Sequence, residues 1–190
     1  QGANVIQAAA IKTEPVELFD EDKRLLHGVD RYSCVVFTSA EGVRYFFDAL
    51  YGEGKDARSL GYAKVCAIGC ATARELRKYG IVPDIIPVDY KAESVVEALK
   101  QHVKPRHTVL LIQPKKAREV IPRELRHLDI DVDILRLYET QQDTSQQEAL
   151  VTALTEGNVD YITFTSSSTV TNTIQLLGDD ALALLGKTKI

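Results

Sequence analysis

The sequence predicts an α/β fold. Two observations carry that prediction: short β-branched apolar runs alternate with segments of helical apolar spacing, and the strand candidates are separated by helical stretches of about 10–15 residues. Connections of that length suit βαβ units and a mainly parallel sheet. A third observation, a recurring strand-turn-helix pattern, points to an internal duplication.

The elements follow in order. Ser33-Cys34-Val35-Val36-Phe37 is an apolar strand, and Val43, Phe46, Phe47 and Leu50 then line one face of a helix over 41–50. A second strand covers 64–68. Residues 71–79 form a helix that Gly80 ends, because the chain needs a left-handed residue there. Val95, Val96, Ala98, Leu99 and Val103 stripe a helix over 92–103. Residues 108–112 read as a buried strand, and Pro122 opens a helix over 123–128, since proline suits the first turn. A strand at 132–137, a helix at 146–155 and a strand at 161–164 complete the series.

Phe37-Thr38-Ser39 recurs as Phe164-Thr165-Ser166, with Val43 matching Val170 and Thr13 matching Thr140 at the same shift. Both triplets end an apolar strand and open a helix, which reads as an internal duplication. The same shift puts the twin of the Val65-Cys66-Ala67-Ile68-Gly69 strand just past Ile190. It puts the twin of Val109-Leu110-Leu111-Ile112 before Gln1. With no Met anywhere, the chain reads as a segment that begins partway through a gene.

Composition excludes several classes. With 190 residues and 45% apolar content, the chain can bury a core as one or two domains. No apolar run approaches the roughly 20 residues of a membrane span, and the N-terminus shows no secretory pattern. A net charge of −4 argues against a general nucleic-acid binder, so any anion site is local. Cys34, Cys66 and Cys70 are too few and too unevenly spaced for a disulfide framework or a zinc site. They read as reduced thiols of a cytoplasmic protein. The four histidines lack metal spacing, and no nucleotide-binding glycine motif is present.

In α/β sheets, ligands bind beyond the carboxyl ends of the strands, where helix N-termini expose N–H groups. Four turns fit that role. They are Thr38-Ser39-Ala40-Glu41-Gly42, Gly69-Cys70-Ala71-Thr72-Ala73, the basic Gln113-Pro114-Lys115-Lys116-Ala117-Arg118, and Thr165-Ser166-Ser167-Ser168-Thr169. In the second, Gly69 allows close backbone approach and Thr72 caps the helix. Each turn alone has a plainer reading as a helix cap or solvated corner.

As an ordered series, these segments are more specific. Val35 to Val43 resembles the first strand-turn-helix of the uroporphyrinogen-III synthases. Ala67-Ile68-Gly69-Cys70-Ala71-Thr72-Ala73, Gly80-Ile81-Val82-Pro83-Asp84 and Ala92-Glu93-Ser94-Val95 follow in family order. After them come Leu110-Leu111-Ile112-Gln113-Pro114, Ala117-Arg118-Glu119-Val120-Ile121-Pro122, Tyr138-Glu139-Thr140 and 160–168. The resemblance implies two flavodoxin-like α/β domains with parallel sheets, joined by a two-stranded antiparallel linker near 10–14 and 137–141. Residues 15–137 would form a complete central domain. Residues 1–14 and 142–190 would form a second, discontinuous one that lacks its first strand-helix and its C-terminal segment.

The resemblance also implies an activity: cyclising hydroxymethylbilane, a linear tetrapyrrole with eight carboxylates, with loss of water and inversion of ring D. No cofactor or metal is expected, nor a nucleic-acid or membrane partner, and a monomer is. Tyr138 matches the family's linker tyrosine and is the candidate acid for hydroxyl departure. Thr38, Ser39, Ala40, Gly69, Cys70, Ala71, Thr72, Thr165, Ser166 and Ser167 fall on family turn positions as substrate-binding residues, with Lys116 and Arg118 for carboxylate pairing. Two alternatives remain open: a non-enzymatic two-lobed binder of small anions, or the synthase segment of a fused methyltransferase/synthase.

Overall fold

A computed structural model of the chain describes all residues except Gln1, Ala3, Tyr90, Thr165, Ser166, Lys187, Lys189 and Ile190, together with the side chain of Ser168. It divides into two compact units, one of residues 15–139 and one of residues 1–14 with 140–190.

The larger unit is built on a four-stranded parallel sheet. Its strands are β2 (Cys34–Phe37), β3 (Lys64–Ala67), β4 (Thr108–Gln113) and β5 (Asp131–Arg136), in spatial order β3-β2-β4-β5. The register runs Val35↔Val65, Val35↔Leu110 and Leu110↔Asp133. Beyond β3, Ile85 adds an isolated parallel bridge to Cys66.

Side-chain alternation divides the core between the two faces. Val35, Phe37, Val65, Ala67, Leu110 and Ile112 pack with α1 (Asp20–His27), α2 (Ala40–Gly52) and α3 (Cys70–Lys78). Cys34, Val36, Cys66, Val109, Leu111 and Val132 pack with α4 (Ala92–Lys100) and α5 (Val120–His127). Runs apolar at every position, such as Val109 to Ile112, are what a sheet covered on both faces requires. Phe37, Phe46, Phe47, Leu50, Leu76, Leu110 and Leu111 are wholly buried, and each contributes roughly 1.5–3 kcal/mol by leaving water.

The α/β class and the parallel sheet expected from the sequence stand. Gly80 ends α3 in the left-handed region at φ 78°, with Ile81 N–H donating to Leu76 O at 3.1 Å and Gly80 N–H to Arg77 O at 3.0 Å. That is the six-to-one and five-to-two pairing which satisfies the last carbonyls of a helix.

In the larger unit two expectations change and one helix is added. The cap of α3 is Gly69, while Thr72 lies inside the first turn and is buried. Helix α5 starts at Val120 after Glu119, so Pro122 is its third residue, where the helix still has no carbonyl partner for an N–H. Helix α1, absent from the sequence reading, has Asp20, Glu21 and Asp22 in its first turn and Arg24 and His27 in its last, matching the helix dipole.

Strands β1 (Ile11–Pro15) and β6 (Tyr138–Gln142) pair as a two-stranded antiparallel sheet, and the division between the units falls within both strands. The remaining elements of the smaller unit, among the described residues, are helices. Helices α6 (Gln147–Thr155), α7 (Ser167–Leu177) and α8 (Ala181–Leu185) close on Leu154, Leu177, Ala181 and Leu185. The strand expected at 161–164 is reduced to a bridge residue at Tyr161.

Candidate active site

In strand order β3-β2-β4-β5 the connections reverse direction between β2 and β4. The chain leaves β2 toward β3 on one side and returns to β4 on the other. At such a switch point the loops beyond the two carboxyl ends diverge and leave a crevice. A cleft of about 540 Å³ lies there, lined by Thr38 and Ser39 from the end of β2, Gln113 and Pro114 from the end of β4, and Tyr138.

Three helix N-termini reach this cleft. Ser39 caps α2, Lys91 to Glu93 begin α4, and Val120 and Ile121 begin α5. Their first-turn N–H groups and helix dipoles favour an anion. Lys91 and Arg118 line the cleft as well, and Glu93 is its one acidic wall among the described residues.

Tyr138 lies at the cleft wall with only 4% of its surface exposed. Its ring stacks on Tyr45, with centroids 5.2 Å apart and planes 10° apart. Its hydroxyl is 2.7 Å from Ser39 Oγ, and that oxygen accepts from Gly42 N–H at 2.8 Å. Burial pushes the phenol above its ordinary range, and Glu41 and Tyr45 push the same way against the opposing Ser39 hydrogen bond. The phenol is therefore a proton-bearing group at neutral pH. With Ser39 as donor in the pair, Gly42 N–H, Ser39 O–H and Tyr138 O–H form a chain directed from the N-terminus of α2. Such a chain polarises the last hydroxyl and leaves it free to donate.

Gly42 explains why the pair sits so close to the helix. It is the third residue of α2, and a Cβ there would lie 3.1 Å from Ser39 Oγ, 3.4 Å from Ile112 Cγ2 and 3.8 Å from Tyr138 Cε1. Thr38 has a different task. Its Oγ1 donates to Ile112 O at 2.8 Å, fastening the end of β2 to β4.

Of the residues singled out in the sequence, the cleft brings together Thr38, Ser39, Arg118 and Tyr138. Ala40, Gly69, Cys70, Ala71, Thr72 and Lys116 lie outside its lining. Gly69 is buried at the cap of α3, Cys70 and Ala71 are exposed in its first turn, and Lys116 is exposed on the loop after β4. Thr165 and Ser166 fall outside the described residues, and Ser167 is exposed at the start of α7. Sequence reasoning places Gln113 and Gly42 in candidate turns without giving either a role, and it misses Lys91. The smaller unit has its own open hollow of about 630 Å³ beside α6, but Glu148 and Glu156 in its lining make it a poor anion site.

The uroporphyrinogen-III synthase HemD family model matches residues 1–190, the whole chain. The chain belongs to the uroporphyrinogen-III synthase family. The porphyrin biosynthesis protein HemD of Ruminiclostridium josui is 28% identical over 97% of this chain. A Methanothermobacter thermautotrophicus relative that carries the synthase name is 33% identical over 79% of it. The chain spans 36% of the first relative's length and 59% of the second's. It also shares its fold with a mutant uroporphyrinogen III synthase from the extremely thermophilic bacterium Thermus thermophilus, at a TM-score of 0.61 and 22% identity over 94% of this chain and 69% of that one.

Proposed function

We propose that this chain cyclises hydroxymethylbilane to uroporphyrinogen III, with loss of water and inversion of ring D. The Tyr138–Ser39 pair in an anion-favouring cleft carries this reading. Tyr138 donates its proton to the hydroxyl leaving ring A, and water departs as the pyrrole nitrogen's electrons fill the vacated position. Ring D then attacks through its substituted carbon to form a spiro intermediate, which opens and recloses with ring D inverted. The proton released when the pyrrole regains aromaticity returns to Tyr138, so the enzyme ends as it began.

Because the substrate ionises readily, most of the catalysis is positioning. The four pyrroles must be held bent, in a pose that disfavours direct closure. Helix N-termini of α2, α4 and α5 supply N–H donors for carboxylates, with Lys91 and Arg118 adding charge. Thr165, Ser166 and Ser167 would serve as further carboxylate contacts, and the two compact units would be the family's two domains. The reading places the enzyme in the cytoplasm as a monomer, or as the synthase segment of a larger fused enzyme. It needs no cofactor, metal, nucleic acid or membrane. Among the described residues, no helix is long and apolar enough to cross a membrane.

The test is a coupled assay with freshly generated hydroxymethylbilane, followed by chromatographic separation of the I and III porphyrin isomers after oxidation. Isomer III above the enzyme-free control supports the reading. Isomer I alone, together with binding of the tetrapyrrole, would favour the non-enzymatic binder.

Gly42→Ala offers a finer check. Alanine gains about 1 kcal/mol of helix propensity but presses on the Ser39–Tyr138 pair. The expected result is a nearly unchanged melting temperature with a severalfold lower rate of isomer III formation. An unchanged rate would show that the pair tolerates the displacement.

A further inference from the structure

Gln113 closes β4, and its side chain continues the Val109–Leu111 face that packs under α4 and α5. It is only 2% exposed, yet it lines the cleft. Its Nε2 finds no hydrogen-bond partner among the described residues. Buried amide groups are almost always paired, and leaving one unpaired is costly, so an orphan donor on a residue that lines a cleft points to an acceptor bound there. The surroundings say which acceptor. The first turns of α4 and α5 open on the same cleft, with Ala92, Val120 and Ile121 in its lining and Lys91 and Arg118 beside them. Converging N–H groups and the two cations, set against the carboxylate of Glu93, leave the cleft favourable to an anion. A pyrrole N–H is a donor and cannot satisfy Nε2, whereas a carboxylate oxygen can.

We propose that Gln113 is a substrate-binding residue whose Nε2 donates to one carboxylate of the tetrapyrrole, beside the N-termini of α4 and α5. The assignment rests on the synthase reading and deepens it by naming the side chain that recognises a particular carboxylate. It also explains why a buried strand end carries an amide where an apolar residue would pack as well.

The test pairs binding with stability, because the two move in opposite directions only if Gln113 is kept for a ligand. Uroporphyrin III, the stable oxidised octacarboxylate, is titrated into the wild-type chain, Gln113→Leu and Gln113→Glu, with binding read from porphyrin absorbance. Thermal melts are recorded without ligand. Gln113→Leu should bind about tenfold more weakly, as expected for a lost hydrogen bond to a charged group, and should melt at the same temperature or higher. Gln113→Glu, of nearly the same shape, should bind more weakly still because it sets a carboxylate against a carboxylate.

Wild-type affinity in Gln113→Leu, a lower melting temperature in that variant, or equal affinity in Gln113→Glu would each overturn the proposal. If wild-type protein produces isomer III while one of these results appears, the Gln113 assignment fails alone. If wild-type protein neither binds uroporphyrin III nor produces isomer III, the synthase reading falls and takes the assignment with it.

Discussion

Tyr138→Phe is expected to slow formation of uroporphyrinogen III by about a hundredfold or more, the usual loss when a positioned proton donor is removed. The substitution deletes one oxygen and little else. Phenylalanine keeps the stacked contact with Tyr45 and the packing against Gly42 and Ile112. Ser39 Oγ keeps its hydrogen bond from Gly42 N–H. The stability cost should therefore be that of one ordinary hydrogen bond, about 1 kcal/mol, and the protein stays folded.

The effect should fall on kcat with KM nearly unchanged, because in the proposed mechanism the phenol acts on the leaving hydroxyl and not on the carboxylates that hold the substrate. Thr38→Ala is the control. Its hydroxyl is already committed to Ile112 O, and its loss should reduce the rate only severalfold. Rates of isomer III formation for the two variants decide the matter. Equal, small losses from both would remove the reason for assigning proton donation to Tyr138.

The same contrast shows what was legible in the sequence. Strands β2, β3, β4 and β5 and helices α2, α3 and α4 announce themselves because each is coded locally, by an unbroken apolar run or a 3.6-residue stripe. Thr38 and Ser39 are found for the same reason, since hydroxyls between a strand and a helix are a local pattern. Arg118 is found as part of a locally basic turn at a strand end, whereas Tyr138 is reached only through the family resemblance.

Gln113 was hidden because a glutamine before Pro114 and two lysines looks like the start of a polar loop. Its site is assembled with two helices that begin about twenty residues before it and seven after it, whose first residues line the same cleft. The role of Gly42, within the helix expected over 41–50, is hidden for a related reason. Only the approach of Tyr138 and Ile112 from distant strands makes a glycine useful inside a helix. Helix α1 was legible and missed: its acidic start, basic end and following Gly28 are a full set of boundary signals.

The largest effect on stability is expected at high pH and comes chiefly from buried thiols that take no part in the proposed chemistry. Cys34 and Cys66 face α4 and α5 in the core, and both are fully buried. Burial pushes the Cys66 thiol from an ordinary 9.0 up to about 12. Burial pushes Cys34 up further, with Cys66 and Asp84 adding to it. Tyr32, buried and donating to Asp133 Oδ2 at 2.7 Å, is raised as well, as is Tyr138.

The sign follows from proton counting. Above about pH 9 the unfolded chain sheds these thiol protons and then the phenol protons, while the folded chain still holds them. The unfolded state then binds fewer protons, and stability falls as pH rises. The contribution is complete below pH 9 and is lost as pH climbs toward the folded values. Cys66 alone accounts for on the order of 4 kcal/mol across that interval, a large share of the ~5–15 kcal/mol that holds a typical domain together.

Denaturant midpoints should therefore be level from pH 7 to 9 and drop steeply by pH 11. The double variant Cys34→Val, Cys66→Val should flatten that drop, since valine fills a similar volume and carries no proton. A wild-type midpoint that stays level to pH 11, or a double variant that loses stability just as steeply, would show that the buried thiols do not govern the alkaline limit.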